Sequence, residues 1–206
     1  MAPPHIAPTR SNLLQMRTKL SFAREGYSIL DKKREVLTGE LLRIAGEAET
    51  LHQQAQSLLE TAYGALKLAR LSMGQERIEW AAMAVTHSVE INILERGMMG
   101  VPIPKVIAYG EPPAISYSLG DTSVALDESN KAFEKVLQII PRLSELSVSV
   151  WRLTRELIKT QRRVHALEKV FIPQYEETIL FIENTLEEQD REEIFTLKWL
   201  KSHQSK

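Results

Sequence analysis

The sequence contains no cysteine, which removes disulfides, thiol nucleophiles and cysteine-ligated metal sites from consideration. Its longest apolar run, 80–85, has six residues, whereas a helix needs about 20 to cross a bilayer. The formal net charge of −1 provides no overall attraction to nucleic acid or to anionic lipid. From these absences we expect a protein that neither inserts directly into a membrane nor binds nucleic acid.

Motifs for catalysis are missing as well. No glycine-rich stretch precedes a Lys-Ser or Lys-Thr pair, as it does in a phosphate-binding loop, and no glycine-flanked serine marks a nucleophile turn. The histidines are scattered and form no pair with metal-ligand spacing. Adjacent glutamates at 176–177, 187–188 and 192–193 lie in a highly charged stretch, where a solvated helix face explains them better than acid–base dyads. The sequence therefore predicts no catalytic residues, no cofactor and no metal.

Aromatic residues make up only 6% of the chain and charged residues 26%, a balance typical of long solvated helices. Between Leu13 and Ser72, apolar residues recur at alternating spacings of three and four, which places them on one narrow stripe of an α-helix. This pattern predicts a coiled-coil seam along a long N-terminal helix. The two series are Leu13, Leu20, Tyr27, Arg34, Leu41, Ala48, Ala55, Ala62 and Ala69, and Met16, Ala23, Leu30, Leu37, Ile44, Leu51, Leu58, Ala65 and Ser72.

A second heptad stretch begins at Ala132 and predicts a long C-terminal helix. Beyond Phe171 the spacing becomes four, a stutter that locally unwinds a coiled coil, and Pro173 lies at this point. Near 133–140 the apolar face is wide enough for a second neighbour, because Phe133, Leu137 and Ile140 form an adjacent stripe. The seam positions are Ala132, Val136, Ile139, Leu143, Leu146, Val150, Leu153, Leu157, Thr160, Val164, Leu167 and Phe171, then Tyr175, Ile179, Ile182 and Leu186.

The distribution of charge predicts that the two helices pack antiparallel. Residues 10–34 carry seven basic and two acidic side chains, whereas residues 176–193 carry eight acidic and one basic. Antiparallel packing brings these blocks together at one end, near both termini. Exposed ion pairs contribute only tenths of a kcal/mol each, so the charges set the alignment more than the stability.

Between the helices lies a segment with different periodicity. Residues 75–85 are predicted to form a short helix. His87, Val89, Ile91 and Ile93 alternate with polar residues, which predicts a half-buried strand that pairs with 103–109 across a loop over 95–102. Residues 111–119 are predicted to form a loop. We therefore expect three parts: 1–74 with a tail and the first long helix, 75–121 as an insert, and 122–206 with the second long helix and a tail.

Short motifs along nearly the whole chain carry a family resemblance. Pro8–Arg10 (PTR) precedes the first helix, Met99–Val101 (MGV) lies in the insert, and Arg162–Glu168 (RRVHALE) leads to Ile-Pro at 172–173. The acidic stretch LEEQDREE follows at 186–193. In these motifs the sequence resembles the D subunits of the V/A-type rotary ATPases, although His165 stands where that family usually has asparagine.

The resemblance implies a mainly α fold, in which a long antiparallel two-helix coiled coil carries a small insert with a short β-hairpin. It also implies a non-catalytic rotor shaft, the central stalk inside a hexamer of catalytic A and noncatalytic B subunits. Such a shaft binds the small F subunit and a funnel-shaped subunit joined to the membrane ring, and it lies peripherally on the cytoplasmic side. The candidates for contact with partners are Arg10, Lys32, Lys33, Arg34, Arg162, Arg163, Phe133, Leu137 and Met99.

Two other classes of protein stay open on the residues alone. One is a coiled-coil adaptor or tether unrelated to ATPases. The other is an RNA-binding helical arm that uses the basic face of 10–34. The acidic block predicted to lie beside that face argues against RNA, because it would repel phosphate.

Overall fold

The computed structural model describes residues 6–84, 89–110, 117 and 122–204. It confirms the predicted fold class, because two long helical segments flank a central antiparallel hairpin. The elements in chain order are α1 (Arg10–Met73), α2 (Gln75–Met83), β1 (Glu90–Met98), β2 (Val101–Tyr109), α3 (Val124–Ala166), a π-helix (Leu167–Phe171) and α4 (Ile172–Gln204).

Some predictions about the insert lie outside the described residues. They are the start of the predicted strand at His87 and, Tyr117 apart, most of the predicted loop over 111–119. The short helix predicted over 75–85 is confirmed as α2. It is separated from α1 by Gly74, whose φ of 81° interrupts the helical backbone.

The chain forms two compact units. The terminal unit combines 1–36 with 157–206, and the central unit comprises 37–156. Along α1, every buried apolar residue belongs to one of the two predicted heptad series, which confirms the seam. These residues are Met16, Ala23, Leu37, Ile44, Ala55, Ala62 and Ala69.

The predicted stutter coincides with the π-helix at Leu167–Phe171. A π-helical turn contains more residues than an α-helical turn, so it rotates the following side chains around the helix axis. The prediction that Phe171 lies on the seam is wrong, because its side chain is 43% exposed. Burial resumes in α4 at Thr178 and Ile182. Pro173 is the second residue of α4, which follows the π-helix directly, so its missing N–H removes one backbone hydrogen bond where the two helices join.

Small side chains dominate the later half of the α1 seam in the central unit. Ala55, Ala62 and Ala69 are buried on α1, and Ser129 and Ser149 are buried on α3. Because apolar stabilisation scales with the area removed from water, each of these positions contributes less than a leucine would. The central unit therefore draws further buried apolar area from its insert.

The hairpin is tighter than the sequence predicts. Its strands stay in register up to Met98 and Val101, and Met99 and Gly100 form a two-residue turn with positive φ values of 49° and 79°. These angles are typical of a type I′ turn, whose twist matches that of the flanking strands. The predicted loop over 95–102 is therefore wrong, since pairing continues to the turn itself.

The burial of β1 also differs from the prediction. Ile91 and Ile93 are 59% and 63% exposed, so β1 is not a half-buried strand. Burial falls on β2 instead, at Val101 and Ile103. The hydrogen bonds from α3 to the hairpin backbone go to Val106 and Pro102, both on β2.

Candidate partner interface

In the terminal unit, three arginines at seven-residue steps along α1 pair with three carboxylates at seven-residue steps along α4. This pattern confirms the predicted antiparallel contact between the basic and acidic blocks. The arginine side chains are mostly exposed, so the pairs stabilise the unit only slightly. The Nη2-to-carboxylate-oxygen distances are 3.1 Å for Arg10–Asp190, 2.6 Å for Arg17–Glu183 and 2.7 Å for Arg24–Glu176.

The basic cluster at 32–34 is divided between solvent and the seam. Lys32 is exposed, whereas Lys33 and Arg34 are partly buried. Arg34 Nη2 lies 2.7 Å from Oδ1 of Asp31, as expected for a charged group on a seam that needs a carboxylate. This contact is an ion pair without directed hydrogen-bond geometry, since the buried Oδ1 accepts no hydrogen bond from the described residues. Lys32 is thus the member of the cluster most available to a partner.

Arg162 and Arg163 lie directly before a seam position near the end of α3. Both are exposed, and the next residue, Val164, is fully buried. The structure therefore directs both guanidinium groups outward, as a partner contact requires. His165 follows on the same exposed surface, with Nδ1 3.8 Å from Oε2 of Glu168.

An apolar stripe on α3 is left uncovered in the central unit. Phe133 is only partly exposed, because its ring meets Tyr63 of α1 edge-on with centroids 5.5 Å apart. Leu137 and Ile140 continue the stripe and are exposed. Further along α3, Val148 and Trp151 are also exposed at helical spacing. The stripe extends beyond the range of 133–140 that the sequence predicts. Exposed apolar residues at helical spacing form a surface on which another helix can pack.

Two polar side chains of α3 hold the hairpin. Glu145 Oε2 accepts a hydrogen bond of 3.0 Å from the backbone N–H of Val106, and Arg152 Nη1 donates one of 2.8 Å to the carbonyl of Pro102. Arg152 also lies 3.6 Å from Oε1 of Glu95 on β1. Met99, in the turn at the tip of the hairpin, is half exposed.

The short helix α2 presents a second apolar surface, which the sequence pattern did not single out. Trp80 and Met83 are 77% and 85% exposed. A cleft of about 510 Å³ beside Trp80 is also lined by Glu76 and Tyr117. Exposed tryptophan next to a cleft is typical of a contact surface for another protein.

Tyr117 anchors the described part of the insert to the two long helices. Its ring packs with Ala69 of α1 and Leu126 of α3, and its hydroxyl donates a hydrogen bond of 2.7 Å to Oδ1 of Asp127. Burial of the phenol, reinforced by this bond, raises the pKa of Tyr117 to about 12.

The end of α4 carries apolar side chains that reasoning from the sequence missed. The helix continues beyond Asp190, the partner of the first residue of α1, as far as Gln204. All residues at 187–203 are exposed, and those after Asp190 extend past the first residue of α1. The available signal was the apolar content of IFTLKWL at 194–200, directly after the acidic stretch. The large exposed side chains are Ile194, Phe195, Leu197, Trp199 and Leu200.

Within the described ranges, no cluster of histidine, aspartate and glutamate could hold a metal ion. The helices described there include none that is long and apolar enough to cross a membrane. What the structure offers is a set of exposed apolar and basic surfaces on two-helix scaffolds, an arrangement suited to contacts with other proteins.

A model of the ATP synthase D-subunit family matches residues 12–202. The chain belongs to that family. It is 38% identical to the V-type ATP synthase D subunit of Thermotoga neapolitana, over 95% of this chain and 97% of the relative. It is 35% identical to the A-type ATP synthase D subunit of Thermococcus sibiricus, with 96% and 94% covered. The second V-type ATP synthase D subunit of Treponema pallidum is 37% identical, also with 96% and 94% covered. The chain is thus a rotary ATPase subunit.

Proposed function

We propose that the chain is the central-stalk shaft of a V/A-type rotary ATPase. In this role it is non-catalytic and couples nucleotide turnover in an A/B hexamer to proton or sodium transport through a membrane ring. The observation that carries the proposal, beyond family membership, is the heptad ladder of ion pairs beside a buried seam. Such a scaffold resists bending, while its exposed charges allow weak, exchangeable contacts.

The direct test is reconstitution with the A and B subunits on the cytoplasmic face of a vesicle that contains the membrane sector. Adding the chain should restore ATP-driven ion uptake, whereas the chain alone should hydrolyse no ATP. Uptake that is the same with and without the chain would refute the role as a shaft. ATP hydrolysis by the purified chain, with contaminating ATPases excluded, would refute the non-catalytic role.

The exposed stripe on α3 supports a proposal for the F subunit. A helix of that partner lying along Phe133, Leu137 and Ile140 would complete a three-helix arrangement and cover apolar area now facing water. Replacing Phe133 and Leu137 with serine should weaken the complex with the F subunit. The control replaces Leu14 and Leu180, exposed residues of the terminal unit, with serine. If both double variants bound the F subunit equally well, it would bind elsewhere.

The hexamer contact is proposed at Arg162 and Arg163, with Lys32 as a further candidate. Outward guanidinium groups can form hydrogen bonds with carboxylates or carbonyls of surrounding subunits and exchange between them as the shaft turns. Replacing both arginines with glutamine should alter the ATPase rate or ion coupling of the complex while stability stays within about 0.5 kcal/mol. Lys131 and Lys135, on α3, provide a charge-matched control when replaced with glutamine. Normal turnover and pumping by the arginine variant would mean that these two groups only solvate the surface and make no contact that matters to the hexamer.

Two further apolar surfaces extend the proposal to the remaining partners. We assign the exposed apolar side chains at 194–200 to the hexamer and the α2 surface around Trp80 to the funnel-shaped subunit. Trp80→Ala should weaken binding of the funnel-shaped subunit, and Trp199→Ala should affect only assembly with the hexamer. An exchange of these two effects would reverse the assignment.

A further inference from the structure

The two edges of the hairpin differ in how their backbone groups are satisfied. A two-residue turn makes Met98 and Val101 a hydrogen-bonded pair, so residues at alternate positions along each strand direct N–H and C=O away from the partner strand. On β2 these outward positions include Pro102, Pro104 and Val106. The two prolines have no N–H to offer, and the Pro102 carbonyl and Val106 N–H bond to α3. The β2 edge is therefore closed to further pairing from Pro102 to Val106.

The β1 edge has no such protection. Its outward positions are Ile91, Ile93, Glu95 and Gly97, and none of their backbone groups has a hydrogen-bond partner within the described part of the chain. The β-branched side chains of Ile91 and Ile93 are also exposed. An open edge with exposed β-branched residues is a template for another strand.

The charges of β1 identify a strand that fits. Consider two copies of β1 that pair antiparallel, with Ile93 on the two-fold axis. Ile91 of one copy then lies opposite Glu95 of the other, so the outward N–H and C=O groups of the two strands face each other. The same register places Glu90 of each copy opposite Arg96 of the other. Among the two-fold registers in which outward backbone groups face each other, this one places Glu90 opposite Arg96 at both ends of the pairing. Opposite charges directly across two strands stabilise a sheet, and here the pair occurs twice.

We propose that the free chain binds a second copy of itself through the β1 edge, forming a four-stranded antiparallel sheet. The inference rests on the hairpin alone and is independent of the proposed role as a shaft. One strand edge buries much less area than a standard protein interface, so association is weak and is visible at high protein concentration.

Sedimentation equilibrium of the full chain tests the proposal. The apparent mass should rise from monomer towards dimer as the concentration increases. Arg96→Glu should raise the dissociation constant roughly tenfold, because two attractive pairs become repulsive. Adding Glu90→Arg to that variant should restore the parental value, since the pairs re-form with reversed sign. A chain that stays monomeric at high concentration, or a double variant as weak as the single one, would overturn the proposal.

Proline substitutions separate edge pairing from association through other surfaces. Ile93→Pro removes an outward N–H and should abolish the dimer, while β1 stays paired with β2 within the hairpin. Ala108→Pro removes an outward N–H from the opposite edge and should leave the dimer unchanged. Amide exchange should show Ile91, Ile93 and Glu95 becoming protected as the concentration rises. A dimer that survives Ile93→Pro, or forms without this protection, would belong to another surface and would refute the β1 register.

Discussion

The terminal and central units stabilise a pair of antiparallel helices in different ways. The terminal unit buries Met16, Val164 and Ile182, and exposed ion pairs border this seam. The later part of the central unit has alanines at the corresponding positions of α1 and gains buried area from the hairpin and Tyr117. The terminal seam, in which Ala23, Thr160 and Thr178 are buried beside the larger side chains, is formed by two helices alone, whereas additional elements join the alanine stretch of the central seam.

The largest loss of stability is expected at Ile182, which is fully buried in the terminal unit. Ile182→Ala should lower the free energy of unfolding by about 2–5 kcal/mol, because it removes apolar contacts and leaves a cavity. Urea unfolding followed by circular dichroism measures the change. Leu180→Ala, an exposed change on the same helix, should stay within about 0.5 kcal/mol. Equal losses for both variants would mean that Ile182 is not a core residue.

The opposite change tests the small-residue seam of the central unit. Ala62 is fully buried, so Ala62→Leu should cost about 1–3 kcal/mol through overpacking against the facing helix. The neighbouring Thr61 is exposed, and Thr61→Leu adds the same side chain outside the seam. If Ala62→Leu instead stabilised the protein, the alanine seam would contain unfilled space, and the contrast between the units would disappear.

The stability of the central unit should depend on pH through Tyr117, which belongs to the insert that supports this unit. Its pKa is raised to about 12 in the folded chain, above the ordinary value of 10.0, so folding favours the neutral phenol. This contribution is fully present below pH 10 and is lost as the pH rises towards 12, by up to about 2 kcal/mol.

Stability curves of the parent and Tyr117→Phe should therefore converge between these pH values. The parent should be more stable at neutral pH, since the variant also loses the hydrogen bond to Asp127. Tyr109→Phe, which removes a hydroxyl at an exposed position, is the matched control. A constant difference between the parent and Tyr117→Phe would exclude titration of this phenol as the cause.

The smallest effect is expected from the ladder of the terminal unit. Arg17→Gln removes the pair with Glu183 and should cost less than about 1 kcal/mol, since the arginine is mostly exposed. The loss should shrink further in high salt, which screens exposed charges. Thermal unfolding at low and high ionic strength measures both values. A loss that does not depend on salt would indicate packing of the arginine stem rather than charge.

The order of residues alone was enough to predict the two long helices, the seam of α1, the antiparallel direction and the presence of a hairpin. These features follow from periodicity and charge, which act along the chain. The heptad series predicted every buried apolar residue of α1. The opposite charge of the two blocks predicted that they lie together, and the ion pair between Arg10 and Asp190 is one of the contacts that join them. The family was likewise indicated by short motifs, of which Arg162–Glu168 is the most specific.

Which faces are covered depended on packing between elements. Phe171 fits the heptad pattern, but the π-helix rotates it towards solvent. Ile91 and Ile93 alternate like a half-buried strand, yet α3 bonds to the backbone of β2, and both isoleucine side chains stay exposed. The apolar residues at 194–200 are exposed because α4 continues beyond the start of α1. Periodicity defines a face of an element, whereas burial of that face depends on where a neighbouring element begins, ends and makes its contacts.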